Sequence, residues 1–162
     1  MAEFDLEVPI EKLNAVMQPV TNAGLYLRWV LYNELRSTVS LRIVVPEDEV
    51  EEILFMIARS YGEPLEVSVL RDSETMLVGQ AFLNSIHIKT RSYPVVVLME
   101  YSRESGPYVP VRVTVITRGD LPEEGIEMIL SAHFGNFDLR RSYQPGTVER
   151  NSLTKITMTP SR

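Results

Sequence analysis

Val45-Pro46-Glu47-Asp48-Glu49-Val50-Glu51-Glu52-Ile53-Leu54 aligns without a gap on Leu121-Pro122-Glu123-Glu124-Gly125-Ile126-Glu127-Met128-Ile129-Leu130. Five of the ten positions are identical, and most of the others exchange one aliphatic or one acidic residue for another. A proline heading each block suits the first turn of a helix, where its missing N–H costs nothing. The acidic residues behind it sit where the helix dipole favours anions. In the first block Val50, Ile53, Leu54, Ile57, Ala58 and Tyr61 form one apolar stripe at helical spacing. Ile126, Ile129, Leu130, His133 and Phe134 repeat it in the second, with Asp120 as the expected N-cap. Gly62 and Gly135 follow the stripes as left-handed stops.

Strand-like sequence flanks both helices. Ahead of the first, Leu25–Tyr32 is strand-like, Asn33–Ser37 turns, and Thr38–Val45 is a second strand with Leu41, Ile43 and Val45 on one face. Leu65–Leu70 and Met76–Ile88 follow it, with a break foreseen near Asn84. Ahead of the second, Val95–Met99 is apolar throughout, which predicts a strand covered on both faces. Gly106-Pro107 marks a hairpin loop, and Val111, Val113 and Val115 alternate with Arg112, Thr114 and Ile116. Phe137–Tyr143 and Ser152–Met158 close the unit as strands around a Pro145-Gly146 turn.

The expected fold is therefore α+β. An internally duplicated β-β-α-β-β unit would build a mostly antiparallel sheet with helices packed on one face and a pseudo-two-fold axis. Residues 1–23 are expected as an N-terminal arm and helix, with Ile10, Leu13, Met17 and Val20 on one side and Pro19 near the end. Residues 24–90 and 91–162 are the two repeats of one compact body.

Composition narrows the function classes. The 162 residues are 44% hydrophobic and 23% charged, enough apolar material for a core. No run of about 18 apolar residues occurs, so no membrane helix is expected. The acidic start Met-Ala-Glu-Phe-Asp-Leu-Glu lacks the order of a secretion signal, which predicts a cytoplasmic protein. The absence of cysteine excludes disulfides, thiolate catalysis and Cys-based zinc sites. Thirteen arginines against three lysines suit a thermophilic prokaryote and a GC-rich genome alike. The net charge of −6 argues against non-specific grip on a polyphosphate backbone.

No nucleophile elbow, phosphate loop, dinucleotide fingerprint or HExxH motif is present, and no catalytic residue, metal or cofactor is expected. His133 reads as a partly buried helix residue and His87 as a surface residue of an alternating strand. The run Glu47, Asp48, Glu49, Glu51 and Glu52 reads as a solvated helix start, because carboxylates on one turn diverge.

Three surfaces draw attention. If Leu25, Leu27, Trp29 and Leu31 face the helix, Tyr26, Arg28, Val30 and Tyr32 face away. Arg42 and its counterpart Arg112 then join them in a face that could stack bases and hold phosphates. Arg140, Arg141, Arg150 and Lys155, near Tyr143, make a basic patch. Phe55 and Met56 lie off the first helix's main stripe, where the second block has Ser131 and Ala132. They need cover from the N-terminal helix or from another protein. The leading expectation is a non-catalytic binding or assembly module acting through protein–protein contacts and associating with itself. Single-stranded nucleic-acid binding comes next, then an enzyme without a recognisable motif.

Overall fold

The computed structural model describes residues 1–71, 77–102, 110–134, 143–150 and 152–160. The strands in chain order are β1 (Ala2–Pro9), β2 (Tyr26–Asn33), β3 (Thr38–Val45), β4 (Leu65–Arg71), β5 (Val78–Ile88), β6 (Arg91–Tyr101), β7 (Arg112–Arg118), β8 (Tyr143–Arg150) and β9 (Leu153–Pro160). The helices are α1 (Leu13–Asn22), α2 (Val50–Tyr61) and α3 (Glu123–Phe134). The fold is α+β. The nine strands of the described residues form one sheet in the order β2-β3-β1-β4-β5-β6-β7-β9-β8, and every neighbouring pair is antiparallel.

The helices do not share one face of this sheet, contrary to the sequence expectation. Strand β6 separates them. Val96 and Leu98 pack in the cluster that holds α1 and α2, while Val95 and Val97 pack in the cluster that holds α3. A strand apolar at every position has two dry faces to offer, and each face recruits its own helix. Helix α2 buries all six stripe residues, Val50 to Tyr61, against β1, β3, β4, β5 and β6. Each fully buried aliphatic side chain there contributes about 1.5–3 kcal/mol. Gly62 stops the helix at φ 72°, its N–H donating to the Ala58 carbonyl. Helix α3 comes close to β5 because Gly125 has no side chain. A Cβ there would stand 2.8 Å from Ile88 Cδ1 and from Leu121 Cδ1. The aligned residue in the first block is Glu49, in a 3-10 turn ahead of α2.

Residues 1–23 do more than flank the body. Strand β1 lies inside the sheet between β3 and β4, pairing along its whole length with β3 and over Ala2–Asp5 with β4. Its alternation decides this: Ala2, Phe4, Leu6 and Val8 are buried under the helices, and Glu3, Asp5 and Glu7 take the other face. Helix α1 follows a 3-10 turn at Ile10–Lys12, packs on α2 through Val16 and Val20, and leaves Ile10 exposed.

The succession strand, strand, helix, strand, strand holds in both 24–90 and 91–162, but the strand orders differ. In the first stretch β1 separates β3 from β4, and in the second β9 rather than β8 lies beside β7. Strand β5 runs unbroken through Asn84. Pro145 and Gly146 lie within β8 rather than at a turn, since an edge strand tolerates proline. The β8–β9 reversal falls instead at Ser152, where φ is 63°. Gly106-Pro107, Gly135 and most of the expected strand 137–143 lie outside the described residues.

Candidate interaction surface

Helix α3 covers its face of the sheet only over β5, β6, β7 and β9. Among the described residues no helix covers the same face of β2, β3, β1 and β4. Ladder register places Trp29 and Leu31 of β2, Ser40 and Arg42 of β3, and Glu3, Asp5 and Glu7 of β1 together on it. A shallow groove of about 480 Å³ runs across it, lined among others by Asp5, Glu7, Trp29, Leu31, Glu66 and Gln80.

The arginines of this face are already engaged. Arg42 Nε donates to Asp5 Oδ1 at 2.5 Å, Arg42 Nη2 donates to Asp5 Oδ2, and Arg42 Nη1 reaches Glu3 Oε2 at 3.5 Å. Its guanidinium also stacks 4.0 Å above the Trp29 ring. The hydrogen bonds that Arg42 donates to Asp5 raise the Arg42 pKa above the ordinary arginine value. Partial desolvation works against this, and the charges of Asp5 and Glu3 add to it. Arg28 donates to Glu3, and Arg36 lies 3.8 Å from Glu7. A phosphate would have to displace a carboxylate at each of these positions.

The residues expected to form one nucleic-acid face are divided between two. A β-bulge between Leu27 and Trp29 shifts the phase of β2 by one residue, and a one-residue shift moves every later side chain to the opposite face. Tyr26, Arg28 and Arg42 remain on the open face, and Trp29 and Leu31 join them there. Tyr32 pairs in register with Val39 and so faces the α2 side. Arg112 is also on the α2 side, donating to Glu100 Oε1 through Nε at 3.0 Å and Nη2 at 2.8 Å.

Glu100 is the most deeply buried acid of the described residues, 1% exposed, and lies below the start of α2. Arg71 Nε donates to its other oxygen at 2.7 Å, and the remaining nitrogens of Arg71 reach Glu47 and Glu51 at 3.2 Å. Burial disfavours the Arg71 charge, but the Glu100 carboxylate, with Glu51 and Glu47, outweighs it and raises the pKa. Gly79, opposite Glu100 in the ladder, leaves the room: a Cβ there would stand 3.2 Å from Glu100 Cγ. The acidic run 47–52 thus serves as a set of ion-pair partners, Glu52 taking Lys155 at 2.7 Å.

The other expected surfaces fare differently. Phe55 is buried in the main core and Met56 packs partly buried against it, beside Gln18, Pro19 and Asn22 of α1. Phe55 is thus closed off within the chain, and Met56 is partly covered by α1. Arg140 and Arg141 lie outside the described residues, as does the side chain of Tyr143. Arg150 is exposed on β8, while Lys155 is held by Glu52 on the α2 face. His87 is exposed, and the His133 side chain lies outside the description.

Sequence reading places Tyr26, Arg28 and Tyr32 of β2 on one face and misses that the strand is an exposed edge. Among the described residues it is an edge strand, paired only with β3. Tyr26 (65% exposed), Val30 (51%), Leu31 (60%) and Tyr32 (57%) are open to water on both of its faces, and Leu35 in the following turn is 98% exposed. An apolar strand with an unpaired ladder edge invites another chain. The signal was present in the alternation-free run Tyr26-Leu27-Arg28-Trp29-Val30-Leu31-Tyr32, where both phases are apolar. No protein-family model matches the chain, and no curated protein matches it in sequence.

Proposed function

We propose that this protein is a non-catalytic assembly module that works through protein–protein contacts and associates with a second copy of itself through the uncovered end of its sheet. The observation that carries this reading is β2, apolar and exposed on both faces at an open sheet edge. Monomeric proteins blunt such edges with charge, proline or a covering element. Here Arg28 is the one charged residue in the strand, and a carboxylate of the same chain balances it.

The nucleic-acid reading loses support on the same face. Tyr26 and Trp29 offer rings for stacking, yet Arg28, Arg36 and Arg42 each hold a carboxylate, and Glu66 adds a further negative charge. The shared succession of elements in 24–90 and 91–162 supports descent of both from one duplicated unit. The inserted β1 and the exchanged β8–β9 hairpin would then be later departures from it.

Light scattering over a concentration series tests the assembly reading. A mass of twice 18.5 kDa at high micromolar concentration is expected, and a constant mass of one chain would refute it. A labelled single-stranded oligonucleotide at low salt is expected to show no change in anisotropy, and a salt-dependent rise would restore the alternative.

A further inference from the structure

We infer that two copies of this protein join antiparallel along β2, with Leu31 of each copy facing Leu31 of the other across a two-fold axis. The inference rests on the self-association reading and gives it a geometry. Strand β2 has one ladder partner, so its outer backbone N–H and C=O groups point away from the sheet over Tyr26–Asn33. Water satisfies these groups in a monomer. A second strand satisfies them and buries the apolar side chains in the same step.

The bulge chooses the register. From Trp29 to Asn33 the β2–β3 ladder is regular, and the bulge between Leu27 and Trp29 interrupts it. A strand docking from outside finds its longest regular stretch over those five residues, whose centre is Leu31. Pairing must also match faces, since residues opposite each other project to the same side. With Leu31 at the centre, Val30 of one copy meets Tyr32 of the other on the α2 face, and Trp29 meets Asn33 on the open face. The pairing is confined to strand residues, since β2 ends at Asn33 and Glu34 and Leu35 belong to the turn that follows.

The opposite edge explains why association stops at two. Strand β8 carries Pro145, which has no N–H to donate, together with Gly146, Glu149 and Arg150. Proline and charge are the features that keep a strand edge from pairing. An antiparallel β2–β2 contact consumes the one inviting edge of each copy, so the assembly closes as a symmetric dimer and does not grow into a fibre.

The cysteine-free sequence makes the test direct. Leu31→Cys and Tyr26→Cys are introduced singly into the full chain and oxidised mildly, beside sedimentation equilibrium of the wild type and of Leu31→Lys. Leu31→Cys is expected to form a disulfide-linked dimer, because facing residues of paired strands lie within disulfide reach. Tyr26→Cys is expected not to, since this register holds its two copies roughly 30 Å apart. Leu31→Lys sets two like charges opposite each other and is expected to weaken the dimer on the order of 100-fold with an unchanged circular dichroism spectrum. If Leu31→Lys fails to fold, the cross-linking pattern alone decides. A dimer that tolerates a folded Leu31→Lys, or that cross-links through Tyr26→Cys as readily as through Leu31→Cys, would overturn the β2 geometry and leave self-association standing. A wild type that stays monomeric at several hundred micromolar, a concentration range suited only to weak pairs, would overturn both.

Discussion

The two ends of the sheet solve the same problem in opposite ways. Around β6 and β7 both faces are dry, with α2 on one and α3 on the other, and the charges there gather on the buried Glu100, held by a buried Arg71 and a half-buried Arg112. Around β3 and β1 one face is dry and the other open, and the charges on the open side form a solvated lattice of Arg28, Arg42, Glu3 and Asp5. The same residue types thus serve two purposes. Where a guanidinium and a carboxylate are enclosed, they fix how elements pack. Where they are wet, they contribute little energy but keep an open sheet face soluble and free of loose charge. The edge beyond the wet lattice is where apolar surface remains.

The largest effect should come from the enclosed end. Glu100→Ala leaves Arg71 and Arg112 facing each other across a cavity, and it is expected to cost about 3–5 kcal/mol in urea unfolding. A loss below about 1 kcal/mol, the size of an exposed pair, would remove the distinction between the two clusters. Next comes Leu31→Lys at the open edge, with its loss of dimer and its retained monomer fold. Val148→Lys at the opposite edge is the control, expected to leave sedimentation unchanged although Val148 is also 58% exposed. If both edges respond alike, the contrast between them fails.

Arg42→Ala on the wet lattice should reduce stability by about 1 kcal/mol or less, and added salt should shrink that difference further. The smallest effect concerns alkaline pH. Burial raises the Tyr61 phenol above its ordinary value of 10.0, and the charges of Glu63 and Glu11 add to the shift. Its folded pKa is raised, so its contribution to stability is complete below 10.0 and is lost as pH climbs through the raised value. Tyr61→Phe should therefore flatten the decline of melting temperature above pH 10, relative to wild type.

Much of this fold was legible in the chain. The α2 stripe, the Gly62 stop and the two-sided burial of β6 follow from periodicity, which reports local geometry faithfully. Three things were not legible, each for a physical reason. The opposite placement of α2 and α3 depends on which face of a doubly apolar strand each helix meets, and Val95–Leu98 suits either. The place of β1 depends on long-range pairing, although the alternation of Phe4, Leu6 and Val8 with Glu3, Asp5 and Glu7 already described a half-buried strand. The phase of β2 turned on a bulge that leaves no mark in a run apolar in both phases. That one residue dispersed the expected face, moving Tyr32 away from Arg42 and bringing Trp29 to it. Arg112 failed for another reason: matching it to Arg42 assumed that both units meet the sheet alike, and they do not.

Strand β1 sits between β3 and β4 as the stone between two arms of an arch. Cut away, it would leave a slot with a ladder on either wall and a row of pockets shaped for Ala2, Phe4, Leu6 and Val8. The closing of the sheet between β3 and β4 thus waits on the first residues of the chain.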